Sequence, residues 1–443
     1  MNGLVIRGAS LLGGHRADVR VRDGVIAAVG TLSPELDERM IDAQGLIALP
    51  GLVDLHTHLR EPGGEASETV LTGTQAAAAG GFTAVHAMAN TSPVADSAGV
   101  VEQVQRLGER HGYATVRPIG AVTVGLAGEQ LAEIGAMARS SAAVRVFSDD
   151  GFCVHDPLLM RRALEYVATF GGVIAQHAQE PRLTEGAQMN ESELSGELGL
   201  TGWPAVAEEA IIARDVLLAQ HVGARLHVCH VSTAGSVEVV RWAKSRGIAV
   251  TAEVTPHHLL LTEELARGYD PHFKVNPPLR SDDDVRALRD ALADGTIDIV
   301  ATDHAPHPDE AKQCTWAEAA NGMVGLESAL SVVQLAMVDT GLLDWAGVAR
   351  VLSTTPADIG RLEGYDTPLE VGAPAHLTLV EPESRRMWST EHLRGRSTNT
   401  PYAGRELPGR IVHTIHGGIV TVHDGELVDQ ETVAALAREA HRG

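Results

Sequence analysis

The chain has 443 residues, 44% hydrophobic but only 3% aromatic, so a large core is available and must be filled with Ala, Val, Leu and Ile. Its 58 acidic against 35 basic side chains give a formal net charge of −23, which argues against a nucleic-acid partner or an anionic membrane surface. Three cysteines in no CxxC spacing, no basic-then-apolar leader and no run near the roughly 18 apolar residues of a membrane span predict a reduced, soluble, cytoplasmic protein.

Length alone allows about three domains, although one α/β barrel can absorb roughly 250 residues or more. Residues 1–50 contain strand-like runs, Leu4-Val5-Ile6 and then Asp18 to Val29, the latter folded about Asp23-Gly24, a hairpin signal. The stretches 371–380 and 410–428, with a second turn at Asp424-Gly425, repeat that texture, while 381–407 reads as irregular polar loop. Two β-rich ends around a different middle predict one small β domain assembled from residues 1–50 and 363–443.

Between them, residues 51–362 alternate apolar strand, loop and amphipathic helix. Strands are expected at 52–58, 83–89, 114–122, 144–149, 173–178, 225–231, 249–255 and 297–302. Helices are expected at 96–110, 157–169, 205–221, 234–246 and 326–339. This alternation predicts a (β/α)8 TIM-type barrel rather than an open sheet.

In such a barrel the chemistry stands at the C-terminal ends of the strands. The first strand closes with His56 and His58, whose side chains point the same way because strand residues alternate faces. The fourth ends in Asp149-Asp150, the fifth in His177, the sixth in His230 and the eighth in Asp303. Four histidines and two carboxylate positions at one end of a barrel form a ligand set suited to two divalent cations. His86 and His227 fall inside strands and read as structural; His155, His257 and His258 lie near the rim, as candidates to support the ligands.

The stretches PGLVDLHTHLREPGGE (50–65), MANTSP (88–93), FSDDG (147–151), MNESELSGELGLTGWPAVAEEA (189–210), HVSTAGS (230–236), TPHHL (255–259), NPPLR (276–280), TDHAPH (302–307) and GLESAL (325–330) resemble the amidohydrolase superfamily, specifically the class I dihydroorotases. The resemblance covers essentially the whole chain. It implies reversible cyclisation of N-carbamoyl-L-aspartate to L-dihydroorotate, the third step of pyrimidine synthesis, with two Zn2+ per subunit. It places His56, His58 and Asp303 on the more buried zinc and His177 and His230 on the more exposed one, with a carboxylate bridging the two. Many relatives use a carboxylated lysine for the bridge, but the only lysines here are Lys244, Lys274 and Lys312, none of them before strand five. Asp150 is the substitute the resemblance implies, with Asp149 as the fallback.

A hydroxide between two such ions, about 3.5–4 Å apart, stays ionised near neutral pH and can attack the ring amide. Asp303 is then placed to carry the proton to the leaving nitrogen, as the catalytic residue. By resemblance Arg60, Asn90 and His307 clamp the substrate carboxylate, and Asn276 meets the ring. Arg280 reads either as a contact or as a structural ion pair. Asn321 and Gly322 are carried over as substrate contacts, although an aromatic residue commonly precedes this glycine in the family, and Ala89 stands where proline is usual. Residues 308–321 and 184–203 are candidate lids. The resemblance also implies a homo-oligomer and allows a partner, aspartate transcarbamoylase. The competing readings are a hydantoinase, dihydropyrimidinase or allantoinase, which normally carry the bridging lysine, and a non-catalytic transcarbamoylase partner that has lost its ligands.

Overall fold

A computed structural model describes residues 3–440 apart from Pro34, Asp37 and 366–368. The chain opens with five strands, β1 (Leu4–Leu11), β2 (Arg16–Arg22), β3 (Val25–Gly30), β4 (Arg39–Asp42) and β5 (Ile47–Pro50). β2 and β3 form an antiparallel hairpin about Asp23-Gly24, both with positive φ, as a tight turn demands. β5 runs into the next strand through Gly51 alone. A Cβ there would lie 2.2 Å from Thr83 Oγ1, so the joint has room only for glycine.

The barrel strands follow: β6 (Leu52–Thr57), β7 (Phe82–Ala87), β8 (Thr115–Pro118), β9 (Val146–Phe147) and β10 (Val173–Gln176). After a short parallel ladder of β11 (Met189–Asn190) and β12 (Gly202–Trp203) come β13 (Arg225–Val228), β14 (Val250–Val254) and β15 (Ile299–Val300). All eight barrel strands pair in parallel, in the order β6-β7-β8 and β9-β10-β13-β14-β15. A bridge between Gly120 and Phe147 joins the two runs at one seam, and one between Thr57 and His304 closes the ring at the other. Leu55, Met88, Ile119, Val146, Val173, Ala175, Cys229 and Ile299 fill the interior, leaving the strand ends above this plug to carry polar groups. The helices pack outside, each held at its start by local chemistry. Asp156 caps helix 157–168, which has Pro157 in its first turn, and Thr233 caps helix 234–245 immediately after the sixth strand's histidine.

The last strands are β16 (Leu377–Met387), β17 (Glu406–His416), β18 (Ile419–His423) and β19 (Glu426–Leu427). With the first five they make one nine-stranded sheet, ordered β19-β18-β17-β16-β5-β1-β2-β3 with β4 also on β1. The two chain ends therefore meet in one sheet, through β5 and β16. This differs from the sequence expectation in detail, because 371–376 is not strand and β16 runs on to Met387, through residues expected to be loop. The polar tail Glu381 to Met387 stays extended because β17 supplies backbone partners, Arg385 to Pro408 and Met387 to Glu406, past a break in register. The helix expected over 326–339 begins only at Ala329 and widens into a π-turn from Gln334 to Val338. A closing helix, Gln430–Ala440, buries Val433 and Ala437.

Candidate metal centre and active site

His56, His58, Asp150 and Asp303 place ligand atoms within 4.8 Å of one another, and so do Asp150, His177 and His230. Asp150 belongs to both groups. Its Oδ2 lies 3.3 Å from His56 Nε2 and 3.2 Å from His58 Nε2, whereas its Oδ1 lies 3.2 Å from His230 Nε2 and 3.4 Å from His177 Nδ1. Asp303 Oδ1 stands 3.2 Å from His58 Nε2 and 3.5 Å from His56 Nε2. Asp149 faces elsewhere: its oxygens accept from the Val122 and Thr123 amides, at 2.7 and 3.0 Å, and from the Thr123 hydroxyl, tying the third and fourth strand ends together.

The backbone at these strand ends is unusual. Arg60, His230 and Asp303 all have positive φ, 61°, 31° and 45°, where L-residues are strained. Asp54 helps to hold this arrangement. Buried on β6, it accepts from the Thr302 amide at 2.8 Å and the Thr302 hydroxyl at 2.6 Å, locking the first strand to the residue before Asp303.

All six ligand candidates are buried. Burial alone would drive the His56 imidazolium to lose its proton, but Asp150, Glu253 and Asp303 surround the ring and hold its pKa well above the usual histidine value. Burial would likewise raise the Asp150 carboxyl, yet His56 together with His177 and His230 keeps it well below the carboxylate range. His56 Nε2 is buried without a hydrogen-bond partner. An orphaned imidazole nitrogen facing shared carboxylates is the donor set that divalent cations satisfy, so the residues fit the metals that the resemblance implies.

Three residues that sequence reasoning did not single out orient this set. Glu253, on β14, accepts from His56 Nδ1 at 2.6 Å and from the His230 amide at 3.2 Å, and its other oxygen accepts from His227 Nε2 at 3.0 Å. A carboxylate at a buried strand position was the available signal, since VTAEV places it on the same face as Thr251, where His227 meets both side chains. Gln179 Oε1 accepts from His177 Nε2 at 2.8 Å, which leaves Nδ1 to face Asp150. Asn399 bonds the His307 amide, the Ala305 carbonyl and the Gly322 carbonyl, gathering the rim after strand eight.

The expected substrate groups lie around the same mouth. Arg60 donates through Nε to the Pro306 carbonyl at 3.3 Å, and no carboxylate among the described residues pairs with its guanidinium. Asn90 Oδ1 accepts from His58 Nδ1 at 2.9 Å, so this side chain orients one of the candidate ligands. The docking of its loop requires Gly63, where a Cβ would sit 2.2 Å from the Ser92 carbonyl. Asn276 reaches Gln179 at 3.4 Å and keeps a buried Oδ1 without a partner. His307 donates from Nε2 to the Asn321 carbonyl at 2.8 Å, and burial followed by the charges of Arg60 and Lys312 pushes its pKa down to about 3. Asn321 itself is exposed, and its main-chain carbonyl is what faces His307. Gly322, at φ 136°, donates to the Lys274 carbonyl at 3.0 Å.

Other rim residues lie outside the two ligand groups. Arg280 is fully buried and bonds Ser232 Oγ, Asn190 Oδ1 and the Trp203 carbonyl, which pins the 184–203 insertion to the barrel. His258 reaches the Pro277 carbonyl at 3.2 Å and supports the NPPLR segment. His257 keeps a buried Nε2 without a partner, while His155 is exposed and contributes only its carbonyl to Arg214.

Residues 45–236 match the family described as dihydro-orotase-like. Over 96% of this chain and 97% of the relative, it is 71% identical to the dihydroorotase of Leifsonia xyli. The chain belongs to the dihydroorotase family. The Streptomyces coelicolor dihydroorotase is 67% identical, over 96% of this chain and the whole of that protein, and the Mycobacterium tuberculosis dihydroorotase is 54% identical over 96% and 99%. Among solved structures, the L-hydantoinase (dihydropyrimidinase) of Arthrobacter aurescens superposes with a TM-score of 0.86 at 25% identity, covering 97% of this chain and 98% of that one. The D-hydantoinase (dihydropyrimidinase) of a Thermus species shares the fold, at a TM-score of 0.82. As a member of the dihydroorotase family within the amidohydrolase superfamily, the chain is a TIM-barrel cyclic amide hydrolase. No helix among its described residues is long and apolar enough to cross a membrane.

Proposed function

We propose that this dihydroorotase-family chain interconverts N-carbamoyl-L-aspartate and L-dihydroorotate, in pyrimidine synthesis, with two zinc ions. His56, His58 and Asp303 would hold one, His177 and His230 the other, and Asp150 would bridge them. The observation that carries this reading is the turn of the Asp150 carboxylate, one oxygen toward each histidine group. The ions would supply Lewis acidity toward the ring amide carbonyl and a water ionised near neutral pH.

The remaining work falls to the protein. Burial alone would raise the Asp303 carboxyl, but the facing imidazoles of His56 and His58 keep it ionised, so its free oxygen can take a proton from the attacking water and hand it to the ring nitrogen as the C–N bond breaks. Ring closure reverses the transfer. The guanidinium of Arg60, unpaired with any carboxylate among the described residues, and the Asn90 amide would hold the substrate carboxylate, with His307 beside them. Asn276 would meet the ring.

The test is hydrolysis of dihydroorotate by metal-loaded protein, followed spectrophotometrically, with hydantoin and allantoin as controls and metal content measured in parallel. Turnover of dihydroorotate with two zinc ions per chain is expected. Preference for either control overturns the substrate assignment.

A further inference from the structure

Lys274 and Lys312 are two of the chain's three lysines, and both are buried, at 4% and 2% exposure. Neither ammonium has a carboxylate partner among the described residues. Lys274 Nζ donates instead to the carbonyls of Trp316, Ala317 and Ala319 at 2.7, 3.3 and 2.9 Å. Lys312 Nζ donates to those of Pro271, Lys274 and Ala320 at 3.0, 3.1 and 2.7 Å. The arrangement is reciprocal: each ammonium fastens the segment that carries the other.

The segment so held, 308–321, was expected from its sequence to be a lid. Its regular structure amounts to one short turn, Asp309–Ala311, and six ammonium-to-carbonyl bonds fix it. Removing an ammonium from water costs several kcal/mol, and fastening a surface loop does not need two such groups. What they fasten borders the site. Ala320 precedes Asn321, whose carbonyl receives His307 Nε2; the Lys274 carbonyl receives the Gly322 amide; and Asn276 lies two residues beyond Lys274.

We propose that Lys274 and Lys312 are positioning residues for substrate binding, a double lysine staple that makes 308–322 a fixed wall of the pocket. This rests on the reading of that pocket as the substrate site and adds to it the groups that build its wall.

The experiment compares wild type with Lys312→Met, Lys274→Met and the control Lys244→Met, all metal-loaded. It measures kcat and KM for dihydroorotate, metal content, and amide hydrogen exchange by mass spectrometry. For either staple variant KM should rise about tenfold while kcat changes by about threefold or less, with two metals retained and faster exchange confined to 308–322. The control should match wild type. Unchanged KM and unchanged exchange in both staple variants overturn the proposal, and so does faster exchange spread across the barrel with loss of metal. Should Lys312→Met not fold, Lys312→Gln and Lys274→Met are judged by the same criteria. If wild type fails to turn over dihydroorotate, the functional reading falls, while unchanged exchange at 308–322 in the variants separately overturns the staple.

Discussion

Glu253 Oε1 lies 2.6 Å from His56 Nδ1, fixing the ring so that Nε2 is the nitrogen presented to Asp150 and Asp303. Carboxylates in this position set the tautomer of a metal-binding histidine and raise its basicity. Glu253→Gln should therefore weaken metal binding about 10- to 100-fold with the fold intact. Titration against a chromophoric chelator measures this directly, and wild-type affinity in the variant would rule out the role.

Asp150→Ala removes the one carboxylate that both histidine groups share. Zinc content should fall from two to one or fewer per chain, with activity lost. Plasma emission analysis after dialysis reads the stoichiometry, and two retained ions would disprove a bridging aspartate. Asp149→Asn, by contrast, should keep both metals, because Asp149 Oδ1 serves the Val122 and Thr123 amides and Oδ2 the Thr123 hydroxyl.

Arg60→Met should cost about 2–3 kcal/mol of substrate binding, a fall of tens to about a hundredfold in kcat/KM, carried mostly by KM. Arg60→Lys should recover only part of this, since an ammonium lacks the planar fork. Steady-state kinetics in both reaction directions check the prediction. A variant whose KM stays near wild type would remove Arg60 from the substrate site.

His86 gives a pH dependence. Burial pushes its imidazole down to about 4, so it is neutral in the fold but takes a proton near 6.5 once unfolded. Between these values the unfolded chain binds more protons. The stability from this residue is therefore fully present above pH 6.5 and is lost as pH falls toward 4, about 3 kcal/mol in all. Thermal melts from pH 7 to 4.5 should show Tm falling, with a shallower fall in His86→Gln. Parallel curves would show that another group sets the slope.

Much of the barrel was legible because its strands are short apolar runs that stop at polar residues. His56 and His58 stood out through alternation, and His177, His230 and Asp303 through their place at the ends of such runs. What escaped depends on contacts between distant segments. Glu253 reads locally as the polar position of an alternating strand, and only the closed ring turns it toward His56. The Asn90–His58 bond and the choice between Asp149 and Asp150 likewise arise from loop docking. Lys312 sits in a polar stretch that reads as solvated, and its burial follows from carbonyls contributed by 271–274. The extension of β16 to Met387 was hidden because its own residues are polar and its partner strand supplies the order.

The pairing of Pro50 with Leu377, where β5 lies between β1 and β16, has a consequence for biosynthesis. Without β16, the sheet of β1 to β5 has an unsatisfied edge at β5, one residue from the strand that carries His56. That edge stays bare until the barrel between β5 and β16 has been translated, so a segment made after the barrel completes a sheet begun before it.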